Sequence, residues 1–228
     1  SNKTLTLGHS GILNKGTLYI NQVDESDGSE NSKGGTINHT GTYPAIQSEG
    51  SLLYVGPCSI NAPNARGIVI ESTENEASIS AIARFYGTKV TAGQNSLVYN
   101  STYRSSAIKC SFKSNNVTGV YIKEGVFNFS KTAITGDYGI LNENATVELV
   151  DGTTVTGVSK TGVVNWPGYS GVTKVGLETE TYSTSGVIVT GKINGVTKNS
   201  GVVYFNNGTV KGEEEAISGT YIVRSGYS

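Results

Sequence analysis

Carboxylates come first, because a pair of Asp or Glu can cleave a glycosidic bond by acid–base chemistry and a cluster of them can hold calcium. The chain has only four Asp: Asp24, Asp27, Asp137 and Asp151. The last two stand before Tyr138-Gly139 and Gly152, where turn chemistry alone calls for Asp. The first two lie in Asp24-Glu25-Ser26-Asp27-Gly28-Ser29-Glu30, which offers four carboxylates in seven residues. Calcium takes about six to eight oxygens, so Asp24, Asp27 and Glu30 are the candidate ligands of a calcium loop. The spacing is not that of an EF-hand, and a solvated acidic loop is the competing reading. Glu213-Glu214-Glu215 reads as a solvated run.

Other reactive groups are sparse. His9 and His39 sit in Gly/Ser/Thr-rich surroundings with no second ligand at zinc spacing. Cys58 and Cys110 are too few for a disulfide framework and read as two small semi-buried hydrophobes, with a single bridge as the alternative. The aromatics are more informative, since 13 Tyr and one Trp can stack inside or form a platform for a ligand. Trp166-Pro167-Gly168-Tyr169 contains Pro and Gly and reads as a loop, and Tyr99-Asn100-Ser101-Thr102-Tyr103-Arg104 is a second Tyr/Arg patch. Trp166, Tyr169, Tyr99, Tyr103 and Arg104 are therefore the candidate ligand-binding residues, Tyr, Trp and Arg being the types enriched at binding hot spots.

The scaffold that must position them is legible in composition and repetition. Gly makes up 30 of 228 residues, charged residues 15 %, and the formal net charge is −1. Without a basic field, nucleic acid is excluded as the expected partner. No run approaches the roughly 20 apolar residues that span a bilayer, so no membrane insertion is expected of this piece. The chain opens Ser1-Asn2 and closes Ser225-Gly226-Tyr227-Ser228, which reads as a single domain, residues 1–228, cut from a longer protein.

Gly followed by two aliphatic residues recurs as Gly119-Val120-Tyr121, Gly139-Ile140-Leu141, Gly162-Val163-Val164, Gly186-Val187-Ile188 and Gly201-Val202-Val203, with Gly219 opening a looser copy. The first half carries the same beat at Gly11-Ile12, Ala45-Ile46, Gly67-Ile68, Leu97-Val98 and Ala107-Ile108. A mean period near 20 is one coil of a β-solenoid. A second strand follows with alternate apolar residues, as in Leu53/Val55 and Phe127/Phe129, and a third starts with Thr, Ser or Ala before an aliphatic, as in Ser59-Ile60 and Thr154-Val155. In the first coil the gap between second and third strands is wider by about a dozen residues, which predicts an acidic corner-loop insertion at 23–33. Thr4-Leu5-Thr6 and Thr179-Glu180-Thr181 do not recur at the coil period, so a flat ice-binding face is not expected. The predicted fold is all-β, a right-handed parallel β-helix of roughly ten coils of about 20 residues.

From Gly11 to Val223 these pieces resemble right-handed parallel β-helix modules of the pectin-lyase-like kind, found in bacterial surface adhesins and phage tailspikes. The resemblance implies a secreted or cell-surface bacterial module that presents a long solenoid face to glycans or host or environmental surface proteins, with no cofactor unless calcium. The same fold also carries polysaccharide lyases and hydrolases, but no Asp-Asp pair, Gly-His-Gly or Arg-x-Lys element of those members occurs here. A non-catalytic adhesin is therefore the expectation, with a polysaccharide-cleaving enzyme and a structural stalk as alternatives.

Overall fold

The computed structural model describes residues 3–21, 34–176 and 186–223. Among these there is no helix, and the strands wind into nine coils with three faces, A, B and C in chain order. Coil one is Thr4–Leu7, Ile12–Asn14 and Thr17–Ile20; coil two is Gly35–His39, Ile46–Ser48 and Leu52–Val55; coil three is Cys58–Ala62, Ile68–Ile70 and Ile82–Tyr86. In coil four, Lys89–Ala92 is followed by one long strand, Leu97–Ile108, that runs through faces B and C, and coil five repeats this with Ser111–Ser114 and Thr118–Ser130. Coil six is Ala133–Gly136, Tyr138–Asn142 and Thr146–Val150; coil seven is Thr154–Gly157, Val163–Asn165 and Val172–Val175. Coil eight is Ile188–Gly191, Asn194–Lys198 and Val202–Phe205; coil nine is Thr209–Gly212, Glu215–Ser218 and Ile222–Val223. Every ladder is parallel, each strand pairing with its counterpart one coil on. This is a parallel β-helix, nine rungs long among the described residues.

Lys89, Ser111, Ala133 and Thr154 occupy one face A column at steps of 22, 22 and 21 residues. Longer steps occur at Thr4 to Thr36, Ser59 to Lys89 and Thr154 to Ile188. The predicted insertion 23–33 lies outside the described residues, as do its candidate calcium ligands Asp24, Asp27 and Glu30 and the pair Thr179 and Thr181. A described insertion that the spacing did not predict runs from Glu71 to Ala81, between faces B and C of coil three.

The glycine repeat has a steric cause. Where the chain turns from face A into face B, the inner aliphatic residue of face A in a neighbouring coil fills the space a side chain would take. A Cβ on Gly162 would meet Val189 Cγ1 at 2.7 Å and the Gly195 carbonyl oxygen at 2.5 Å; Gly67, Gly139 and Gly195 would collide with Val90, Val155 and Val210 in the same way. This contact corrects the coil register read from the last copies of the repeat. Gly186 precedes face A of coil eight and Gly201 precedes face C, both at positive φ, so the true counterpart of Gly162 is Gly195-Val196-Thr197. Ala107-Ile108 likewise belongs to face C.

Inside, one column per strand is continuous: Ile37, Ile60, Val90, Phe112, Ile134, Val155 and Val189 on face A are all buried. Coils three to five are filled by aromatics, with Phe127 stacked on Phe129 (ring centroids 4.5 Å) and Tyr99 edge-on to Phe127 (4.9 Å). Coils seven and eight are filled by Val.

Candidate functional site

The corner between faces B and C carries most of the chemistry, and its base is rigid. Asn142 and Asn165 occupy the last inner position of face B on adjacent coils and are fully buried. Asn142 Nδ2 donates to the Val172 carbonyl (3.1 Å), Asn165 Nδ2 donates to those of Gly171 and Val202 (3.1 Å each), and Thr173 Oγ1 donates to Asn165 Oδ1 (2.7 Å). These bonds tie the turn to the backbone of face C and give each buried amide donor an acceptor, which a buried group requires. On this base sits the loop Trp166–Gly171, whose turn uses Gly168 at φ +83° and whose Ser170 N–H donates to Asn144 Oδ1 of coil six at 3.0 Å. Trp166 and Tyr169 are thereby held out at 40 % and 38 % exposure.

Tyr103 is exposed on the same corner three coils earlier. Tyr99 does not join it. Its side chain is fully buried in the face B column between Ile70 and Ile122, and its Oη donates to the Tyr103 carbonyl at 2.5 Å. The expected Tyr99/Tyr103 surface patch is thus divided, because the register shifts after Tyr99 and again before Arg104, which breaks simple alternation. Tyr99 braces the corner from within, and burial pushes its phenol above the usual range.

Along coils three to six runs a charged cluster that the sequence did not announce. The Glu71 carboxylate, 2 % exposed, accepts from Lys123 Nζ at 2.6 Å and from Arg66 at 3.4 Å; Lys123 also reaches Glu76 at 3.2 Å. Burial alone would lower the lysine's affinity for its proton, but the bonds to Glu71 and Glu76 outweigh it and hold the ammonium above its ordinary value. Beside it, Tyr121 Oη donates to Glu143 Oε1, and Lys123 lies 5.7 Å from the Tyr121 ring centroid. Burial first, then the Glu143 carboxylate and the more distant Tyr169 and Glu71, push the Tyr121 phenol well up, so it stays a proton donor. The insertion Glu71–Ala81 is a strap across these coils: Gln47 Nε2 of coil two donates to the Glu71 carbonyl, and Asn100 Nδ2 of coil four donates to that of Glu76 (2.8 Å each). Members of this cluster are up to 77 residues apart, from Arg66 to Glu143, and only the coil register brings them together.

Arg104 opens face C. It bonds Glu148 at 2.8 Å, and Glu148 also accepts from Lys174 at 3.2 Å. Desolvation would raise the Glu148 carboxyl, but the two cations outweigh it and hold it below the usual carboxylate range.

Cys58 and Cys110 are free and buried, and desolvation pushes their thiols up to about 11 and about 12. His9 packs edge-on to Tyr43 at 5.3 Å, and His39 is buried with Nε2 2.7 Å from the Tyr43 carbonyl. Among the described residues no group of three or more His, Cys, Asp or Glu is placed to hold a metal ion. On face A, Thr4 and Thr6 do have counterparts on later rungs: Thr135, Thr156 and Thr190 are consecutive in the outward column of Thr6, with Lys113 and Lys211 interrupting the same column. The spacing concealed this because the coils differ in length. Comparison with protein-family models, with curated proteins and with solved structures finds no match to this chain.

Proposed function

We propose that the chain is a non-catalytic binding module, an adhesin of the bacterial cell surface or secreted milieu. It holds a glycan or a surface protein along the corner between faces B and C. The observation that carries this reading is the run of aromatic and amide side chains presented by successive coils on one rigid edge: Tyr103 of coil four, Tyr121 of coil five, Asn144 of coil six, Trp166 and Tyr169 of coil seven. Three rung spacings of about 4.8 Å make this edge roughly 14 Å long, a length that suits a short stretch of extended polysaccharide. Exposed Tyr and Trp offer apolar ring faces with a polar rim, the surface that binding sites favour. The carboxylates along the edge favour binding over cleavage: Glu71, Glu76, Glu143 and Glu148 are each bonded to a cation or a phenol, and a carboxylate held below its usual range, as Glu148 is, is a poor proton donor at neutral pH.

The test is a glycan array probed with the purified chain, with the same glycans incubated in solution and assayed for new reducing or unsaturated ends. Retention of one sugar class without product, lost in Trp166→Ala and Tyr103→Ala, is expected. Release of product would replace this reading with a polysaccharide-cleaving enzyme, and absence of both binding and product would leave a stalk or a protein receptor.

A further inference from the structure

Face C has a seam. Coil three detours through the strap Glu71–Ala81 before its face C strand, whereas coil four runs straight from face B into face C along Leu97–Ile108. Apart from an isolated parallel bridge between Ile79 and Ser101, the two paths meet in ladder register only from Arg84 opposite Ser106 onward. Between the bridge and the ladder, side chains replace backbone pairing: the Ala81 N–H donates to Ser101 Oγ at 3.0 Å, Ser101 Oγ donates back to the Ala81 carbonyl at 2.6 Å, and the Ala83 N–H donates to Ser105 Oγ at 2.8 Å. Both serines are buried. The separation leaves a groove of about 490 Å³ with Arg84, Arg104, Ser106 and Asn128 in its polar lining and Ile82, Phe85 and Ile108 in its apolar lining.

The polar part of the lining is cationic with neutral donors between. Arg84 and Arg104 come from adjacent coils and flank the Ser106 hydroxyl, and Asn128 stands one rung further on, opposite Ser106. Arg84 is exposed and has no hydrogen-bond or ion-pair partner among the described residues, while Arg104 spends one guanidinium nitrogen on Glu148 and projects with 64 % of its side chain exposed. Glu148, the one acidic group bonded to this set among the described residues, is already shared between Arg104 and Lys174. Two guanidinium forks, a hydroxyl and an amide converging on one groove form a receptor for an oxyanion, since a planar guanidinium bonds carboxylate and sulfate oxygens in pairs.

We infer that the seam on face C is an oxyanion subsite that takes the sulfate ester or carboxylate substituent of a saccharide. It rests on the binding-module reading for the class of ligand, and adds a charge requirement that the aromatic corner by itself does not impose. The neutral ring stacks at the corner and the charged substituent docks at Arg84 and Arg104.

The experiment is calorimetric titration of the full chain with dextran sulfate, with polygalacturonate and with neutral dextran, in wild type and in Arg84→Ala, Arg84→Lys, Lys113→Ala and Trp166→Ala. Lys113 lies on face A and controls for diffuse attraction of a polyanion. The expected result is binding of at least one acidic polymer, about tenfold weaker in Arg84→Ala, measurably weaker in Arg84→Lys where charge is kept but the fork is lost, and within twofold of wild type in Lys113→Ala. The sulfate and carboxylate arms identify which substituent is preferred. Equal weakening in Arg84→Ala and Lys113→Ala, or binding of neither acidic polymer, overturns the subsite. Binding of a neutral glycan that is lost in Trp166→Ala but unaffected in Arg84→Ala also overturns it while leaving the module reading intact. Acidic-polymer binding that Trp166→Ala leaves unchanged, with no array glycan retained, removes the aromatic edge and leaves the subsite standing.

Discussion

The turn from face A to face B and the turn from face B to face C are made by the same chain nine times over, yet they obey different rules. At the first, glycine recurs because the neighbouring coil's Val90, Val155, Val189 or Val210 already occupies the space of a Cβ. At the second there is no common residue: coil three inserts eleven residues there, coils four and five run straight through, and coil seven builds the Trp166–Gly171 loop. The first turn is set by packing between coils and holds only small residues, glycine in most coils and Ala45, Ser96 and Ala216 in the others. The second projects into solvent, above a hydrogen-bonded amide base in coils six and seven, so it can vary in length and in the side chains it exposes.

The sharpest way to break this contrast is Gly162→Val. Its side chain would have to displace Val189 and the Gly195 backbone, and overpacking of this kind should cost about 3 kcal/mol, read as a fall in the midpoint of thermal or urea unfolding. An equally large loss from Ser170→Val in the B–C loop would erase the distinction. Next is Lys123→Ala, which leaves the buried Glu71 carboxylate with only the more distant Arg66 and unpins the strap; about 2 kcal/mol of destabilisation is expected, with faster amide exchange in residues 71–81 than elsewhere. Trp166→Ala should hardly move stability, within about 0.5 kcal/mol, while weakening retention of an array glycan about tenfold.

The smallest effect concerns pH. The Glu148 carboxyl is held below its ordinary value of 4.5 in the folded chain, so its stabilisation is complete above that pH and is lost as pH falls through the lower, folded value. Because Arg104 is largely exposed, the contribution is under about 1 kcal/mol, seen as a shallower acid-unfolding curve in Glu148→Gln. An unchanged curve would show that the pair adds nothing.

How far the sequence could be read follows the same division. The solenoid, its three strands per coil and its inner columns were legible because interior packing repeats: Ile60, Ile134 and Val155 each follow a small or hydroxyl residue at the same place in the coil. The register of the last coils was not, because Gly186 and Gly201 have the same look as Gly162 but are glycines for a positive φ rather than for a crowded neighbour. At the site, Trp166, Tyr169, Tyr103, Arg104 and Tyr99 were all picked out by residue type; the first four are exposed, whereas Tyr99 is buried, because residue type does not tell which face a Tyr takes where the register shifts.

What the amino-acid order determined alone is the local chemistry: where β-branched and aromatic residues alternate, where glycine admits a turn, and that charge is too balanced to hold a polyanion diffusely over the whole surface. What only the tertiary structure decided is juxtaposition. Glu71 meets Lys123, Arg66 joins that cluster, and Arg84 faces Ser106 because parallel rungs stack residues from 18 to 35 positions apart, with the interval changing wherever a coil carries an insertion. A ladder bond depends on which residue arrives one coil later, and that is a property of the whole winding rather than of any segment within it.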